Sequence, residues 1–140
     1  MIVLDTNVVA AMMRLHLEPD IEAWLGQQDR GQLHLATPVI FEIGFGIERM
    51  PPGRRRRDLE VAKADLLASV FRHQIIDLDP ASADAAGLIH ARQIGRGRNV
   101  DVADSLIAGI ATIHGAAVAT RNVDDFTGLG LEIINPWPLP

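Results

Sequence analysis

Short apolar runs along the chain alternate with longer stretches in which apolar residues recur at helical spacing. The run Met1–Leu4 is followed by polar residues, which is typical of a short buried strand. Similar strand patterns are expected in four further segments, namely Gln32–Ala36, Gln74–Leu78, Ala116–Thr120 and Leu131–Ile134. Because no β-hairpin pattern is present between these segments, we expect parallel strands that are joined by helices.

Helical periodicity fills the intervals between the predicted strands. The predicted helices cover Val8–Leu15, Pro19–Gln28, Thr37–Met50, Arg54–Arg72, Ser82–Ile94 and Val102–His114. Thr37-Pro38 and Asp79-Pro80 have the form of helix starts, in which a polar side chain caps the helix and proline occupies the first turn. The alternation predicts an α/β fold, a three-layer α/β/α sandwich with a central parallel sheet of about five strands.

The composition is that of an ordinary globular domain and excludes several kinds of chemistry. The 140 residues, 48% hydrophobic and 22% charged, are expected to form one domain over residues 1–140. The absence of Cys excludes disulfides, thiolate zinc sites and a Cys nucleophile. No apolar run approaches the roughly 18 residues of a membrane span, and no basic region precedes the first apolar stretch, so we expect a cytoplasmic protein.

Several acidic side chains occupy positions where an ionised carboxylate is costly unless a partner or a metal compensates it. Asp5 directly follows the first predicted strand, whereas Glu42 and Asp104 share helical stripes with apolar residues. In a parallel α/β fold, all three positions fall at the carboxyl edge of the sheet, where ligands bind. Asp124 and Asp125 follow the fourth predicted strand at the same edge. Oxygen ligands without Cys or clustered His favour Mg²⁺ or Mn²⁺ over zinc.

Structural interpretations compete with this hypothesis for some of the same residues. Asp5 stands where a helix N-cap belongs, and Asp101 with Asp104 has the spacing of a capping box. Asp124-Asp125 also fits ordinary turn chemistry. Glu42 has no such explanation, since it lies beyond the first turn among apolar neighbours. Convergence of four distant segments on one edge of the sheet favours a single site.

The basic residues do not indicate a simple nucleic-acid-binding protein. The net charge is −5, and the Gly-x-Gly segments match neither a dinucleotide fingerprint nor a P-loop. The run Arg54–Arg57 begins a predicted helix, and successive helical residues differ in direction by about 100°. We therefore expect a solvent-exposed helix start rather than a one-sided patch, with contact to RNA or an acidic partner as the alternative.

Four segments of the chain resemble the PIN-domain ribonucleases, in particular the VapC-type toxins of bacterial toxin–antitoxin pairs. In chain order they are Ile2–Asn7, Thr37–Glu48, Asp104–Ala108 and Thr120–Phe126, and their order and spacing match over essentially the whole chain. The resemblance implies that Asp5, Glu42 and Asp104 ligate Mg²⁺, directly or through water. It also implies a homodimer and a cognate antitoxin that neutralises the toxin.

The fourth acidic position of the family is open in this chain. Many relatives carry Asp where Asn122 stands here, so the role either passes to Asp125 or is weakened. Asn122, Asp124 and Asp125 are all open for this position, and we expect Asp125 to fill it. Asp5, Glu42, Asp104 and Asp125 are thus the predicted catalytic carboxylates, with Thr6 and Thr120 orienting them.

The resulting hypothesis is a Mg²⁺-dependent endoribonuclease, with Mn²⁺ as a substitute ion. In such an enzyme a carboxylate-bound metal activates the water that cleaves an RNA phosphodiester. One alternative is a phosphoaspartyl-type phosphatase using Asp5, although Asn7 stands where its second acid would belong. The other is a degenerate module that binds RNA or protein without cleaving it.

Overall fold

The computed structural model describes residues 1–138, and the last two residues of the expected domain, 139–140, lie outside this part. The strands are β1 (Ile2–Leu4), β2 (Leu33–Ala36), β3 (Ile75–Ile76), β4 (Ala117–Ala119) and β5 (Ile133–Ile134). They form one sheet in the order β3-β2-β1-β4-β5, and every neighbouring pair is parallel. The predicted α/β class and five-stranded parallel sheet are confirmed.

Seven α-helices within residues 1–138 flank the sheet. They are α1 (Thr6–Met12), α2 (Pro19–Gln27), α3 (Thr37–Glu48), α4 (Arg54–Asp65), α5 (Pro80–Gly95), α6 (Val102–His114) and α7 (Val123–Phe126). The bounds of α6 are those predicted, and Gly115 ends it in the left-handed conformation with φ of 62°. Asp79 caps α5 as predicted, because its side chain accepts a hydrogen bond from the backbone N–H of Ser82.

The order of the strands creates a crevice between β1 and β4. From β1 the chain proceeds to β2 and β3 on one side, and then returns to place β4 and β5 on the other side. In open α/β sheets, ligands bind at such a reversal, beyond the carboxyl ends of the strands. Asp5 directly follows β1 and Thr120 directly follows β4, so both residues stand at this crevice.

Close packing of α5 against α6 fixes the position of the helix that carries Asp104. A Cβ atom at Gly109 of α6 would lie 2.5 Å from the carbonyl oxygen of Ser82 and 2.7 Å from the Cβ of Ala86, both on α5. Only glycine therefore permits this approach. Helix α6 also packs on β1 and β4, whose residues Val3 and Val118 are fully buried.

Three local predictions are wrong. Thr37 does not cap α3: the N-cap is Ala36, and the Thr37 hydroxyl instead accepts the backbone N–H of Leu78 at 3.0 Å. The helix predicted over Arg54–Arg72 ends as an α-helix at Asp65, because the chain then widens into a π-helical turn, Leu66–Val70. Asp124-Asp125 lies in the short helix α7, so the interpretation of this pair as an ordinary turn is wrong.

The start of α4 agrees with the expectation of a largely solvated arginine run. Arg54, Arg55 and Arg57 are exposed, whereas Arg56 is half-buried. Arg56 pairs with Glu48 and Glu60 and donates to the carbonyl oxygen of Met50 at 3.1 Å, which ties α4 to the end of α3. No helix within residues 1–138 has both the length and the apolar character needed to cross a membrane.

Candidate active site

Asp5 is both the N-cap of α1 and the most tightly held carboxylate at the crevice. It is nearly fully buried, and its Oδ1 accepts the backbone N–H of Thr6 at 2.8 Å. Its Oδ2 accepts the hydroxyl of Thr120 at 2.6 Å and Nδ2 of Asn7 at 3.1 Å. Burial raises the pKa of Asp5 above its ordinary value, and the bonds from Thr120 and Thr6 oppose that rise. The capping interpretation and the site interpretation are therefore compatible.

Glu42 lies in the second turn of α3, half-buried, and faces the start of α1. Its Oε1 accepts the hydroxyl of Thr6 at 2.5 Å. Thr6 thus holds two carboxylates at once, Asp5 through its backbone N–H and Glu42 through its side chain. This geometry matches the expected orienting role of Thr6, and the bond from Thr120 to Asp5 matches that of Thr120.

Asp104, in the first turn of α6, has the most perturbed acidity of the group. Its carboxyl is half-buried and faces the carboxyl of Asp125 at hydrogen-bonding range. Burial first, then the charge of Asp5 and the contact with Asp125, raise the pKa of Asp104 to about 8. The capping-box alternative is not realised, since the Asp101 side chain makes no cap hydrogen bond.

Of the three candidates for the fourth acidic position, Asp125 is the one that faces the other carboxylates. Its charge acts on both Asp5 and Asp104, whereas Asp124 is exposed. Asn122 is exposed at the start of α7, and its backbone N–H donates to the hydroxyl of Thr120 at 2.9 Å. The structure therefore brings together all four predicted catalytic carboxylates, Asp5, Glu42, Asp104 and Asp125.

Two polar residues that sequence reasoning did not assign to the site hold its parts together. The Asn7 side chain donates to Asp5 and accepts the backbone N–H of Arg121 at 3.2 Å, which ties α1 to the end of β4. Gln93 of α5 is fully buried, and its Nε2 donates to the carbonyl oxygen of Asp125 at 3.4 Å. Asn7 had a sequence signal, because it follows the same strand end as Asp5. The only sequence signal for Gln93 was that this polar residue stands among apolar residues of α5.

The donor set fits a hard divalent cation, because the four carboxylates offer only oxygen ligands. Even so, no three His, Asp or Glu side chains of residues 1–138 already form a group able to hold a metal ion. In this arrangement Thr6 donates a hydrogen bond to Glu42, and the carboxyl of Asp104 interacts with that of Asp125. A cation would have to displace the proton that this contact favours, and the side chains would have to turn toward the ion.

The PIN-domain family profile matches residues 2–129, which include all four carboxylates. The chain belongs to the PIN-domain family. It is 34% identical to the plasmid stability protein StbB of Pseudomonas syringae pv. tomato, over 98% of this chain and 99% of that protein. It is 31% identical to the VapC ribonuclease Y4jK of Sinorhizobium fredii, over 98% of each chain.

The fold of this PIN domain is shared with solved toxin–antitoxin structures. The structure of FitAB bound to an IR36 DNA fragment superposes with a TM-score of 0.86 at 26% identity, covering 100% of this chain and 98% of that chain. FitAcB from Neisseria gonorrhoeae gives a TM-score of 0.83 at 27% identity, covering 99% and 100%. The predicted resemblance to PIN-domain proteins of the VapC type is confirmed.

Proposed function

We propose that this PIN-domain protein is a Mg²⁺-dependent endoribonuclease and the toxin of a toxin–antitoxin pair, acting in the cytoplasm. The observation that carries the proposal is the convergence of four carboxylates from β1, α3, α6 and α7 at one crevice, without a cationic side chain paired to any of them among residues 1–138. A relative that is 31% identical over 98% of this chain is named a ribonuclease.

Asp5, Glu42 and Asp104 would hold the ion, with Asp125 as a fourth acid. When bound, Mg²⁺ supplies a water of lowered pKa and stabilises charge on the phosphate during in-line displacement. The protein orients its ligands beforehand: Thr120 and Asn7 fix the Asp5 carboxylate, and Thr6 fixes that of Glu42. Proximity of like charges makes the empty site unfavourable, and a cation relieves this repulsion.

The two alternatives differ from this proposal in measurable ways. A phosphoaspartyl-type phosphatase needs a second acid near Asp5, but the side chain two residues on is the amide of Asn7, which is already bonded to Asp5. A non-cleaving module would retain RNA or protein binding without any metal-dependent product. Cleavage of an RNA substrate supports the proposal, whereas turnover of a small phosphomonoester alone would support the phosphatase.

The decisive experiment compares two carboxylates that lie three residues apart. Asp104→Asn should reduce RNA cleavage in Mg²⁺ by more than about a hundredfold, because losing even an indirect contact of a metal ligand costs about 10–100-fold. Asp101→Asn is the matched control, since Asp101 is exposed and makes no cap hydrogen bond. EDTA should abolish wild-type cleavage, and Mn²⁺ should restore it. Equal activity of both variants would contradict the ligand assignment.

The antitoxin and the homodimer are further parts of the proposal. A relative from Neisseria gonorrhoeae, 26% identical over 98% of this chain, is named toxin FitB, and the similar solved structures include DNA-bound VapBC from Salmonella typhimurium. On α3, Phe41 and Phe45 are 70% and 56% exposed, and their rings stack with centroids 6.2 Å apart. This aromatic pair would receive apolar antitoxin residues. Phe45→Ser should weaken co-purification with a co-expressed antitoxin, while light scattering reports whether the free chain is a dimer.

A further inference from the structure

Arg121 is held from two sides at the rim of the acidic crevice. It directly follows Thr120 at the end of β4, and its backbone N–H donates to Oδ1 of Asn7 at 3.2 Å. Its guanidinium carbon lies 4.5 Å from the ring centroid of Trp137. The ring itself is fixed, because Trp137 is buried and its Nε1 donates to Glu18 at 2.9 Å. The position of this cation is therefore set before any ligand arrives.

The edge of the Arg121 guanidinium is available to an anion. A guanidinium that contacts an aromatic ring through its face keeps its N–H donors free to bind an anion. Within the described 1–138 range, Arg121 is absent from the ion pairs, which involve Arg14 and Arg56. An arginine that is ordered by an aromatic ring and lacks a carboxylate partner is suited to bind phosphate, whose oxygens match the donor geometry.

A cleft connects Arg121 with the proposed catalytic acids. It has a volume of about 480 Å³, within the range of ligand sites, and Arg121, Asn122, Asp125 and Asn135 are among its lining residues. Asp125 belongs both to this cleft and to the carboxylate cluster, where it faces Asp104. A chain of nucleotides lying in the cleft would therefore pass Asp125, the member of the four acids that lines it.

Two other arginines lie beside α7 and the segment that follows it. Arg98 donates to the carbonyl oxygen of Asp124, and Arg96 lies beside Gly128. These contacts place positive charge next to the helix that carries Asp125. A protein with a net charge of −5 needs such local cations to attract RNA.

We propose that Arg121, stacked on Trp137, binds a backbone phosphate of single-stranded RNA next to the position that is cleaved. The identity of the ligand rests on the proposed ribonuclease function. Arg121 thereby determines where the RNA strand enters the crevice. Its contribution is to substrate binding, since the four carboxylates are the groups placed at the reacting phosphate.

The test measures binding of a short single-stranded RNA oligonucleotide in metal-free buffer, over a range of salt concentrations. Arg121→Gln should raise the dissociation constant about tenfold, because a hydrogen bond to a charged group contributes roughly 1.5–3 kcal/mol. It should also lower the slope of log affinity against log salt by about 0.7, as expected for one phosphate contact on a single strand. Arg121→Lys should restore the slope but only part of the affinity, because lysine keeps the charge and loses the planar stack.

Arg72→Gln is the matched control. Arg72 is an exposed arginine just before β3, at the amino edge of the sheet and therefore opposite the crevice. It should leave both the affinity and the salt slope unchanged. In cleavage assays with Mg²⁺, Arg121→Gln should raise KM about tenfold while kcat stays within about twofold, which is the pattern of lost uniform binding.

Each outcome separates this proposal from the ribonuclease proposal, because binding is measured without cleavage. If the wild type cleaves RNA but Arg121→Gln retains wild-type affinity and salt slope, the phosphate assignment is overturned and the ribonuclease stands. If the wild type cleaves nothing, yet its RNA affinity depends on Arg121 as expected, the phosphate site stands and the ribonuclease fails. Failure of the wild type to bind RNA even at low salt would overturn the phosphate assignment.

Discussion

Asp5 and Asp104 belong to one acidic cluster, but the protein treats their carboxyl groups in opposite ways. Asp5 is buried and accepts hydrogen bonds from a backbone N–H, a hydroxyl and an amide. Asp104 is half-buried, and three other acids, Asp5, Asp125 and Glu42, raise its pKa further. Burial raises the pKa of both groups, but only at Asp5 do several neutral donors oppose the rise.

This difference divides the proposed site into a fixed part and a responsive part. The donors around Asp5 set its orientation whether or not an ion is bound, which is the usual role of groups behind a metal ligand. In the proposal, Asp104 and Asp125 would exchange their mutual contact in the free protein, which favours a protonated carboxyl, for contact with a cation. Replacing Asp5 or Asp104 should therefore abolish activity in both cases, whereas the two replacements should change the free energy of unfolding by different amounts.

The largest expected change in the free energy of unfolding comes from replacing Asp5, in the fixed part of the site. Asp5→Ala should lower the free energy of unfolding by about 3 kcal/mol, because a buried donor left without a partner costs roughly 1–3 kcal/mol and three donors lose theirs. Asp104→Ala should change it by less than about 1 kcal/mol, because the Asp104 carboxyl, with a pKa of about 8, is largely protonated at neutral pH and lacks the hydrogen-bond donors that surround Asp5. Urea unfolding in EDTA at neutral pH measures both. Equal losses would show that the Asp5 hydrogen bonds are not structural.

The next effect belongs to the responsive part. Mg²⁺ at a hundredfold excess over its dissociation constant should stabilise the wild type by about 2.7 kcal/mol, since a ligand of the native state adds RT ln(1 + [L]/Kd). Asp104→Asn should lose most of this stabilisation, whereas Asp101→Asn should keep it. Thermal unfolding with and without Mg²⁺ gives the comparison. Stabilisation that survives in Asp104→Asn would place the ion elsewhere.

The sequence alone predicted the convergence of the acids, because chain order and strand direction determine it. Once β1 and β4 are parallel strands, Asp5 and the segment after Thr120 must lie at the same edge. The starts of α3 and α6 fall there as well, which brings Glu42 and Asp104 to the crevice. Local signals such as the Asp79 cap also sufficed, because their partners lie within one helical turn.

Features that depend on distant partners were not predictable. Thr37 has the sequence of a helix cap, but its hydroxyl bonds to Leu78, 41 residues away. The choice among Asn122, Asp124 and Asp125 depends on α7, a four-residue helix too short to leave a periodic pattern. The contact between Asp104 and Asp125 could not be read from spacing either, because it depends on how closely α6 and α7 approach.

The pH dependence of stability should sharpen the contrast further. The pKa of Asp104 is about 8 in the folded protein and 3.8 in its ordinary state, so the folded state holds the proton more tightly. Its contribution to stability is fully present below about pH 4 and is lost as pH rises through 8. The pKa of Asp79 is lowered by its bond to Ser82, which affects stability only in the acid range.

In EDTA, the wild type should therefore lose about 1–2 kcal/mol of stability between pH 5 and pH 8.5, a value reduced for the solvent access of Asp104. Asp104→Asn should flatten this slope, and Asp101→Asn should preserve it. Urea midpoints measured across this range provide the test. An unchanged slope in Asp104→Asn would assign the pH dependence to other groups, of which Asp5 is the first to examine because burial raises its pKa too.

The smallest expected effect concerns Glu42, which stands between the two parts. Its charge acts on both Asp5 and Asp104, while its carboxylate accepts the hydroxyl of Thr6. Glu42→Gln removes the charge but keeps an oxygen for Thr6, so the metal-free protein should gain about 0.5 kcal/mol from relieved repulsion. RNA cleavage in Mg²⁺ should fall about 10–100-fold as the ion loses a carboxylate.

Glu22→Gln, an exposed position on α2, is the control for both measurements. A stability loss in metal-free Glu42→Gln would mean that Thr6 and Glu42 form a structural pair, and Glu42 would then join Asp5 in the fixed part of the site.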